Sequence, residues 1–403
     1  MKHILFITHS CFPVNGAEEI VNVRLLSALS KSGQFIIDVV TKKKRSSDYP
    51  SEDLEEYEVN LNSLHMIEVD NKVTPTTIWQ HIKTFLRFGI VHKGDHWAVE
   101  ALPTAIKLVK ENQYDYVLTR AAPAHYIGNY LKKHYGIKWV CTWNDPHPQV
   151  MYPYPYGKGN GEVMIKHNAK EIKMMRNADA FIYPNQRLAR YMNTFLRVDN
   201  KDISIIPHVI VGEPSEPKYY NGGKINFIHS GKCISPRRAS NLLVALRELL
   251  SEQVISQNEI AFSFMGRLNE EDEEMIKTTE LKDVVSILEP VPYLKSLQIL
   301  KNYDVAVIIE APCEEGIFLP TKVSDFMMEG KRILTLSPKN GLLHDLYEDG
   351  YISYFADIDD ISSIKDTLVK VIEDSNKTKL NDYKVNIPQS YKQEYVVQQY
   401  LSF

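Results

Sequence analysis

One stretch near the middle of the chain separates two series of alternating strand and helix patterns. Residues 203–230 read ISIIPHVIVGEPSEPKYYNGGKINFIHS. The stretch begins with a short apolar run, continues through a polar segment rich in Pro and Gly, and returns to an apolar run at Ile225. Pro and Gly interrupt regular structure and are typical of linkers. The stretch therefore predicts a domain boundary, with a linker over residues 211–223.

On both sides of this linker, short apolar runs alternate with longer segments of helical period, which is typical of parallel sheets with crossover helices. The predicted strands of the first half are His3–Thr8, Phe35–Thr41, Tyr116–Thr119, Lys138–Thr142, Ala180–Tyr183 and Ile203–Pro207. Its predicted helices are Ala17–Ser30, His96–Glu111, Ala124–Tyr135, Met164–Arg176 and Gln186–Leu196. We therefore expect an N-terminal doubly wound α/β domain over residues 1–210.

The second half repeats this architecture. Its predicted strands are Ile225–Ser230, Ile260–Gly266, Val284–Leu288, Val305–Ile309, Ile333–Leu336 and Ile352–Ala356. Its predicted helices are Ala239–Glu252, Glu271–Thr279, Leu294–Asn302, Lys322–Glu329, Gly341–Glu348 and Ile361–Glu373. The pattern predicts a second doubly wound domain over residues 224–388, and the tail over 389–403 is again helical.

Composition narrows the functional classes. The 403 residues are 44% hydrophobic and carry a net charge of −4, so nothing in the overall charge favours a nucleic-acid partner. No run approaches the ~20 apolar residues of a membrane span, and the N-terminus does not have the pattern of a signal peptide. Four widely spaced cysteines predict reduced thiols and no metal site. We expect a cytoplasmic protein.

Polar residues follow the predicted strands of the first half. Gly16 lies between a strand and a helix, His125 begins the segment after the third strand, and Asp145 follows the fourth. Doubly wound sheets bind ligands at the carboxyl ends of their strands, so these positions indicate a site. The alternative at each position is structural, because a lone Gly can simply begin a helix and a lone His can cap one.

A basic loop follows the first strand of the second half. Gly231 and Lys232 come directly after that strand, and Arg237 and Arg238 precede a long amphipathic helix. Cations beside a Gly turn and a helix N-terminus are suited to a diphosphate. The alternative is a solvated basic face.

A longer segment, EEGIFLPTKVSDFMMEGKRIL over residues 314–334, contains the most specific pattern. An acidic loop with Glu315 and Gly316 precedes a helix that Pro320 and Thr321 begin. Asp325 follows Lys322 by about one helical turn, so the two side chains can face one ligand. Helix N-terminal amides suit a phosphate, and a carboxylate one turn later suits the diol of a ribose.

These motifs resemble those of the retaining glycosyltransferases of family 4, which have the GT-B fold. The matching segments are Pro13–Glu18, Asn144–Pro146, Ile205–His208, Gly231–Arg238 and Leu319–Lys331. The last is similar to a segment of members that build bacterial surface polysaccharides. The resemblance implies that the helix over residues 389–403 packs back on the first domain. It also implies an acceptor site in the first domain and a nucleotide-sugar site in the second.

The resemblance also implies roles for individual residues. Gly16 would let the first-domain loop approach the donor diphosphate, Lys232 and Arg238 would neutralise it, and the amides of Thr321 and Lys322, with Gly231 and Gly316 nearby, would meet the phosphates. Asp325 would hold the ribose as the second carboxylate of the family's Glu-x7-Glu motif. Ile317 stands where the first Glu is expected, with Glu314 and Glu315 as neighbouring substitutes. His208 stands where the family has Asn.

The function that the resemblance implies is transfer of a sugar from a nucleotide-sugar donor to a saccharide or lipid-linked acceptor, with retention of anomeric configuration. Neither a metal nor another cofactor is expected. His125 and Asp145 would position the acceptor or handle its proton. Two alternatives stay open: a nucleotide-sugar 2-epimerase on the same fold, and a nucleotide-binding homologue without catalytic activity.

The segment IWQHIKTFLRF over residues 78–88 mixes large apolar residues with cations. It suits peripheral contact with an anionic membrane, which would place the protein at the inner face of the cell membrane. The alternative is an ordinary half-buried helix of the first domain.

Overall fold

The computed structural model describes residues 1–43, 50–70, 74–90, 95–216, 223–376 and 384–403. They form two compact units. The N-terminal unit consists of Met1–Tyr152, Gly157–Val211 and Gln389–Phe403, and the C-terminal unit consists of Pro153–Tyr156 and Gly212–Pro388. Of the predicted linker, residues 217–222 lie outside the described residues.

The N-terminal unit is a seven-stranded parallel sheet in the order β3-β2-β1-β4-β5-β6-β7. Its strands are β1 Lys2–Thr8, β2 Phe35–Lys43, β3 Ser63–Glu68, β4 Tyr116–Arg120, β5 Trp139–Thr142, β6 Ala180–Tyr183 and β7 Asp202–Ile205. Its helices are α1 Ala17–Lys31, α2 Pro50–Glu56, α3 Pro75–Phe88, α4 His96–Glu111, α5 Ala124–Tyr135, α6 Glu162–His167, α7 Ala169–Met175 and α8 Gln186–Leu196, with a 3-10 turn over Gln149–Met151. Consecutive residues of β1 and β4 are buried, as expected for parallel strands covered on both faces.

The C-terminal unit is a six-stranded parallel sheet in the order β10-β9-β8-β11-β12-β13. Its strands are β8 Ile225–Ser230, β9 Ile260–Met265, β10 Val285–Leu288, β11 Val305–Ile309, β12 Arg332–Ser337 and β13 Tyr354–Asp357. Its helices are α9 Ser240–Ser251, α10 Glu270–Thr278, α11 Tyr293–Leu300, α12 Thr321–Met328, α13 Leu342–Glu348 and α14 Ile361–Asn376, with a 3-10 turn over Glu280–Asp283. Both sheets reverse their strand order beside the first strand, and sheets of this kind bind ligands at the carboxyl ends of the strands at that point.

The last helix, α15 over Gln393–Leu401, follows a 3-10 turn over Gln389–Tyr391 and packs in the N-terminal unit. The hydroxyl of Tyr116 in β4 donates a hydrogen bond of 2.9 Å to the Tyr400 carbonyl. Val396, Tyr400 and Phe403 are buried in the same core as β1 and β4. Residues from both ends of the chain therefore complete one hydrophobic core.

The predicted fold class, two doubly wound α/β domains, is confirmed, and the differences are local. The patterns did not predict α2 or β3. The residues of β3 are half-buried or exposed, so its sequence does not have the apolar run of a central strand. The predicted helix Met164–Arg176 is two helices, α6 and α7, because the chain leaves helical geometry at Asn168 (φ −101°, ψ 12°).

Candidate functional site

A pocket of about 880 Å³ opens at the carboxyl ends of β1, β4 and β5 in the N-terminal unit. Polar and aromatic side chains dominate its lining. They include His9, Glu18, Asp95, Trp143, Asn144, Asp145, His147, Gln149, Tyr152, Lys158, His167 and Asn168. The pocket therefore has the size of a small-molecule site and offers both hydrogen-bonding and aromatic groups.

Three residues form a fixed polar network at the edge of this pocket. The buried Arg120, at the end of β4, donates from Nη2 to Asn144 Oδ1 at 2.8 Å. Asn144 in turn donates from Nδ2 to Glu18 Oε2 at 2.7 Å. The Arg120 Nε lies 4.0 Å from Glu18 Oε1. The first turn of α1 and the loop after β5 are thereby held together at the end of β4.

Gly16 lies at the start of this arrangement. It precedes α1 with an extended backbone (φ −147°, ψ 170°), and its carbonyl accepts from the Ile20 amide at 3.0 Å. A Cβ at this position would lie 2.5 Å from the Glu19 carboxylate. The absence of a side chain at Gly16 thus leaves room for the buried Glu19.

Asp145 is exposed and lines the pocket, as its position after β5 predicts. It also interacts with Tyr152, another lining residue. Burial, followed by the nearby Asp145 carboxylate, raises the pKa of Tyr152 well above its usual range. The phenol therefore stays protonated beside an accessible carboxylate.

His125 lies elsewhere than the sequence suggests. Its side chain is fully buried beneath the pocket, and its ring centroid lies 4.1 Å from that of Trp143. Its Nδ1 lies 2.8 Å from the hydroxyl of Thr119 in β4. Burial lowers the pKa of His125 well below its usual range. In this position His125 does not line the pocket and remains neutral, because the side chain that follows β4 turns into the core rather than outward.

A different histidine reaches the pocket. His147 lines it, and its Nε2 lies 2.6 Å from Oε1 of the buried Glu171. The Tyr126 hydroxyl lies 2.5 Å from the same Glu171 oxygen and 3.0 Å from Oδ2 of the buried Asp95. Burial, Glu171 and Asp95 raise the pKa of Tyr126 well above its usual range. A hydrogen-bonded chain of four ionisable groups thus ends at His147, which the sequence analysis did not single out.

In the C-terminal unit, the loop after β8 meets the first turn of α12. Gly231 has φ +108°, and a Cβ there would lie 3.2 Å from both Cε and Nζ of Lys322. Gly266, after β9, has φ +143°, and its Cβ would lie 2.5 Å from the Gly231 carbonyl oxygen. The two glycines therefore allow the Lys322 ammonium to lie against the backbone of the Gly231 turn.

A buried carboxylate and a second cation lie beside Lys322. Glu310, directly after β11, accepts from Nε and Nη2 of Arg237 at 3.3 Å each and from the Tyr156 hydroxyl at 2.8 Å. The Arg237 guanidinium also lies 5.5 Å from the centre of the Tyr156 ring. Burial, followed by the Arg237 charge, lowers the pKa of Lys322 to about 8. Arg237, Glu310 and Lys322 thus form one electrostatic group, which we call the C-terminal charge cluster.

Lys232 and Arg238, the cations that the resemblance favoured, lie outside this cluster. Both are exposed. Arg238 pairs with Glu271 of α10 at 2.7 Å. The cation that shares the cluster with Lys322 is therefore Arg237, the neighbour of the expected residue. Glu310 could have been found from its position, since it is an ionisable residue directly after a predicted strand.

The acidic loop and α12 complete the C-terminal site. Asp325 is buried, and its Oδ1 accepts from the Tyr293 hydroxyl at 2.5 Å. Thr321 begins α12 after Pro320. Gly316 exchanges backbone hydrogen bonds with the segment before α13, where its own Cβ would lie 3.3 Å from the Gly341 Cα. Glu315 is half-buried, whereas Ile317 is fully buried and apolar, so the position of the family's first Glu belongs to the core.

Two further observations concern the described part of the chain. It contains no group of three or more His, Cys, Asp or Glu side chains arranged to hold a metal ion. None of its helices combines the length and the apolar character that crossing a bilayer requires.

Comparison with known proteins gives a family match and a fold. Residues 20–211 match the sequence profile of the family described as Glycosyltransferase Family 4. No curated protein matches the chain in sequence.

Several solved structures are similar along nearly the whole chain. The Anabaena protein HepE, in complex with UDP-glucose, is 14% identical with a TM-score of 0.63, and the similarity covers 100% of this chain and 99% of that one. The lipopolysaccharide outer core galactosyltransferase WaaB is 12% identical with a TM-score of 0.60, over 99% of both chains. The UDP-GlcNAc 2-epimerase from Neisseria meningitidis, bound to UDP-GlcNAc, is 10% identical with a TM-score of 0.58, over 99% of this chain and 98% of that one.

At these identities the structural similarity demonstrates the fold, and the expected GT-B class is confirmed. The epimerase shares it, so the fold alone does not separate transfer from epimerisation. The profile match adds sequence similarity to one family, which similarity of fold alone does not provide. Together these findings support a glycosyltransferase-like protein of the GT-B fold that is similar to family 4 over residues 20–211.

Proposed function

We propose that this protein transfers a sugar from a nucleotide-sugar donor to a saccharide or lipid-linked acceptor, with retention of anomeric configuration and without a metal ion. The observation that carries the proposal is the C-terminal charge cluster beside the Gly231 turn and the first turn of α12. Donor cleavage leaves negative charge on a diphosphate, and cations at a helix N-terminus stabilise that charge.

Lys322 is the donor-site cation that the geometry favours most. Within the described residues, neither a hydrogen bond nor an ion pair is formed by its Nζ, so its three N–H donors are available to a phosphate. The Gly231 turn brings backbone close to the same ammonium. In the proposal, Lys322 and Arg237 bind the diphosphate, and Thr321 contributes its amide at the start of α12.

Asp325 keeps its proposed role as the ribose ligand. Tyr293 donates to one of its oxygens and fixes the orientation of the carboxylate. A carboxylate accepts hydrogen bonds, which is what the two hydroxyls of a ribose diol donate.

The acceptor side of the proposal rests on Asp145 and His147, which line the pocket of the N-terminal unit. His147 takes the role that the sequence analysis gave to His125, because its ring is held by Glu171 at the pocket surface. A carboxylate on one imidazole nitrogen orients the ring. His147 thus positions an acceptor hydroxyl.

In the proposed reaction, the bond between the anomeric carbon and the diphosphate oxygen breaks and a bond to the acceptor oxygen forms on the same face. The acceptor proton passes to the departing diphosphate. Charge on the diphosphate grows as the first bond lengthens, so the cations contribute more to the transition state than to the bound donor.

The function is tested by incubating the protein with a panel of nucleotide sugars, with and without saccharide and lipid-linked acceptors, in buffer containing EDTA. We expect nucleoside diphosphate release that depends on acceptor, and a product whose anomeric proton coupling matches that of the donor. A 2-epimer formed without acceptor would instead support the epimerase. Nucleotide binding without turnover on any acceptor would support an inactive homologue.

A further inference from the structure

Helix α3 of the N-terminal unit has the reverse of the usual amphipathic arrangement. Its buried residues are Thr77 and Thr84. Five large apolar side chains are exposed instead: Ile78, Trp79, Ile82, Phe85 and Leu86, of which Trp79 is 54%, Phe85 55% and Leu86 74% exposed. The spacing of these five residues places them along one side of a helix. We call this side the α3 apolar face.

The buried threonines do not destabilise the inner side, because the helix itself satisfies them. The Thr77 hydroxyl donates to the Thr74 carbonyl at 2.9 Å, and the Thr84 hydroxyl donates to the Gln80 carbonyl at 2.7 Å. Thr74 and Thr77 also form a capping box at the N-terminus. The helix is therefore well formed while its apolar side remains uncovered in the described chain.

Cations surround the α3 apolar face. Lys83 lies 6.0 Å from the Trp79 ring centre, and Lys170 of α7 lies 5.5 Å from that of Phe85. Arg87 is exposed at the end of the helix and lies over the Tyr130 ring of α5 at 5.4 Å. The α3 sequence contains neither Asp nor Glu, although the whole chain has a net charge of −4. The local charge is thus opposite in sign to that of the molecule.

We propose that the α3 apolar face binds the surface of an anionic lipid bilayer. Trp and Phe insert at the boundary between headgroups and acyl chains, and cations at the rim attract anionic headgroups. A protein partner or a second copy would need polar groups and a matching shape opposite this face. An anionic bilayer binds any face that combines apolar area with positive charge at its rim. The charge pattern therefore favours the bilayer.

The tryptophans provide a specific probe. Trp79 is exposed, whereas Trp97, Trp139 and Trp143 are buried, so a change of environment on binding is reported by Trp79 alone. Emission of the full chain is measured with vesicles of phosphatidylcholine and with vesicles of phosphatidylcholine and phosphatidylglycerol at about 7:3. Donor and acceptor are omitted, so the result does not depend on the proposed transferase activity.

We expect a shift of emission to shorter wavelength, protection from acrylamide, and co-flotation, all with the anionic vesicles. Trp79→Phe should abolish the spectral change and retain flotation. Trp79→Ser/Phe85→Ser/Leu86→Ser should lower the partition coefficient at least about tenfold. Lys83→Gln/Arg87→Gln should lower the partition coefficient about twenty-five-fold, since each cation near an anionic surface contributes about fivefold. Added salt should weaken binding in the same way.

The matched control is Ile234→Ser/Val254→Ser, which removes two exposed apolar side chains from the C-terminal unit. It should bind vesicles as the unmodified chain does, and circular dichroism should show that all variants are folded. Equal partition of the triple serine variant would overturn the proposal, as would the absence of any binding to anionic vesicles. If the emission wavelength of Trp79 shifted with protein concentration in the absence of lipid, the α3 apolar face would be assigned to a second copy of the chain instead.

Discussion

At the scale of single residues, Arg237 and Arg238 show how neighbours in sequence acquire different surroundings. Arg237 lies in the C-terminal charge cluster with Glu310 and Lys322, whereas Arg238 is exposed and pairs with Glu271. An exposed ion pair contributes little, while a cation held beside a diphosphate acts directly on the charge that develops there.

We expect Arg237→Ala to lower kcat/KM about 10²- to 10³-fold and Arg238→Ala to lower it less than about threefold. Steady-state kinetics with saturating acceptor gives both values. Arg237→Lys separates charge from geometry, since it keeps the cation and loses the two-nitrogen contact with Glu310. Thermal melting of each variant identifies any general loss of fold. A larger defect for Arg238→Ala than for Arg237→Ala would return the role to Arg238.

Lys322 should make donor binding depend on pH. Its pKa is lowered to about 8, so the ammonium is charged below that pH and becomes neutral as the pH rises through it. In the proposed function the charged form binds the diphosphate, so affinity should be full near pH 7 and fall above about pH 8. Calorimetric titration with a nucleoside diphosphate between about pH 6.5 and 9.5 measures this. Lys322→Arg keeps its charge over that range, and a pH dependence that persists in that variant would assign it to another group.

At the scale of the elements, close backbone approach determines the shape of the proposed donor site. Gly231 combines a positive φ with a Cβ position that would lie 3.2 Å from Cε and Nζ of Lys322. Gly350 in the same unit also has a positive φ (+76°), but its Cβ would have open space within 4 Å. Comparing substitutions at Gly231 and Gly350 therefore separates the energetic cost of the positive φ from the effect of the contact with Lys322.

Both Gly→Ala variants should lose about 1 kcal/mol of unfolding free energy because of their positive φ. Only Gly231→Ala should also weaken nucleotide binding, by up to about tenfold, since its methyl group would lie 3.2 Å from the Lys322 ammonium and shift it. Denaturant titration and calorimetry provide the two measurements. Equal nucleotide affinity in both variants would remove the Gly231–Lys322 contact from the site.

Strands that are buried on both faces have continuous apolar sequences. The sequence predicts the bounds of such strands, for example β1, β4 and β11, nearly to the residue. It does not predict β3, whose edge position leaves its residues only partly buried. In the site, the positions after strands are predicted, whereas side-chain direction is not. His125 and Asp145 both follow strands, yet one turns into the core and the other toward the pocket. Direction depends on packing between distant segments, which local patterns do not contain.

At the scale of the whole molecule, α15 connects the end of the chain to the core of the N-terminal unit. Tyr400 is buried there, and its carbonyl accepts from Tyr116. Gln398 on the same helix is exposed. Substitutions at Tyr400 and Gln398 therefore allow a buried and an exposed residue of α15 to be compared.

We expect Tyr400→Ala to lower the unfolding free energy by about 3 kcal/mol, the range for losing a buried aromatic side chain. Gln398→Ala should change it by less than about 0.5 kcal/mol, as is usual for surface substitutions. Urea denaturation followed by circular dichroism measures both. A Tyr400→Ala variant as stable as Gln398→Ala would show that α15 contributes little to the N-terminal core.

The position of α15 also affects the order of events during translation. Residues 389–403 leave the ribosome after residues 212–388, although they belong to the unit that begins at Met1. At about 5–20 residues per second, the intervening segment takes roughly ten to thirty-five seconds to synthesise. During that interval the nascent N-terminal unit exposes the apolar surface that Val396 and Tyr400 later cover. A ribosome-associated chaperone that shields apolar surface therefore has a defined window in which to act, and that window closes when α15 emerges.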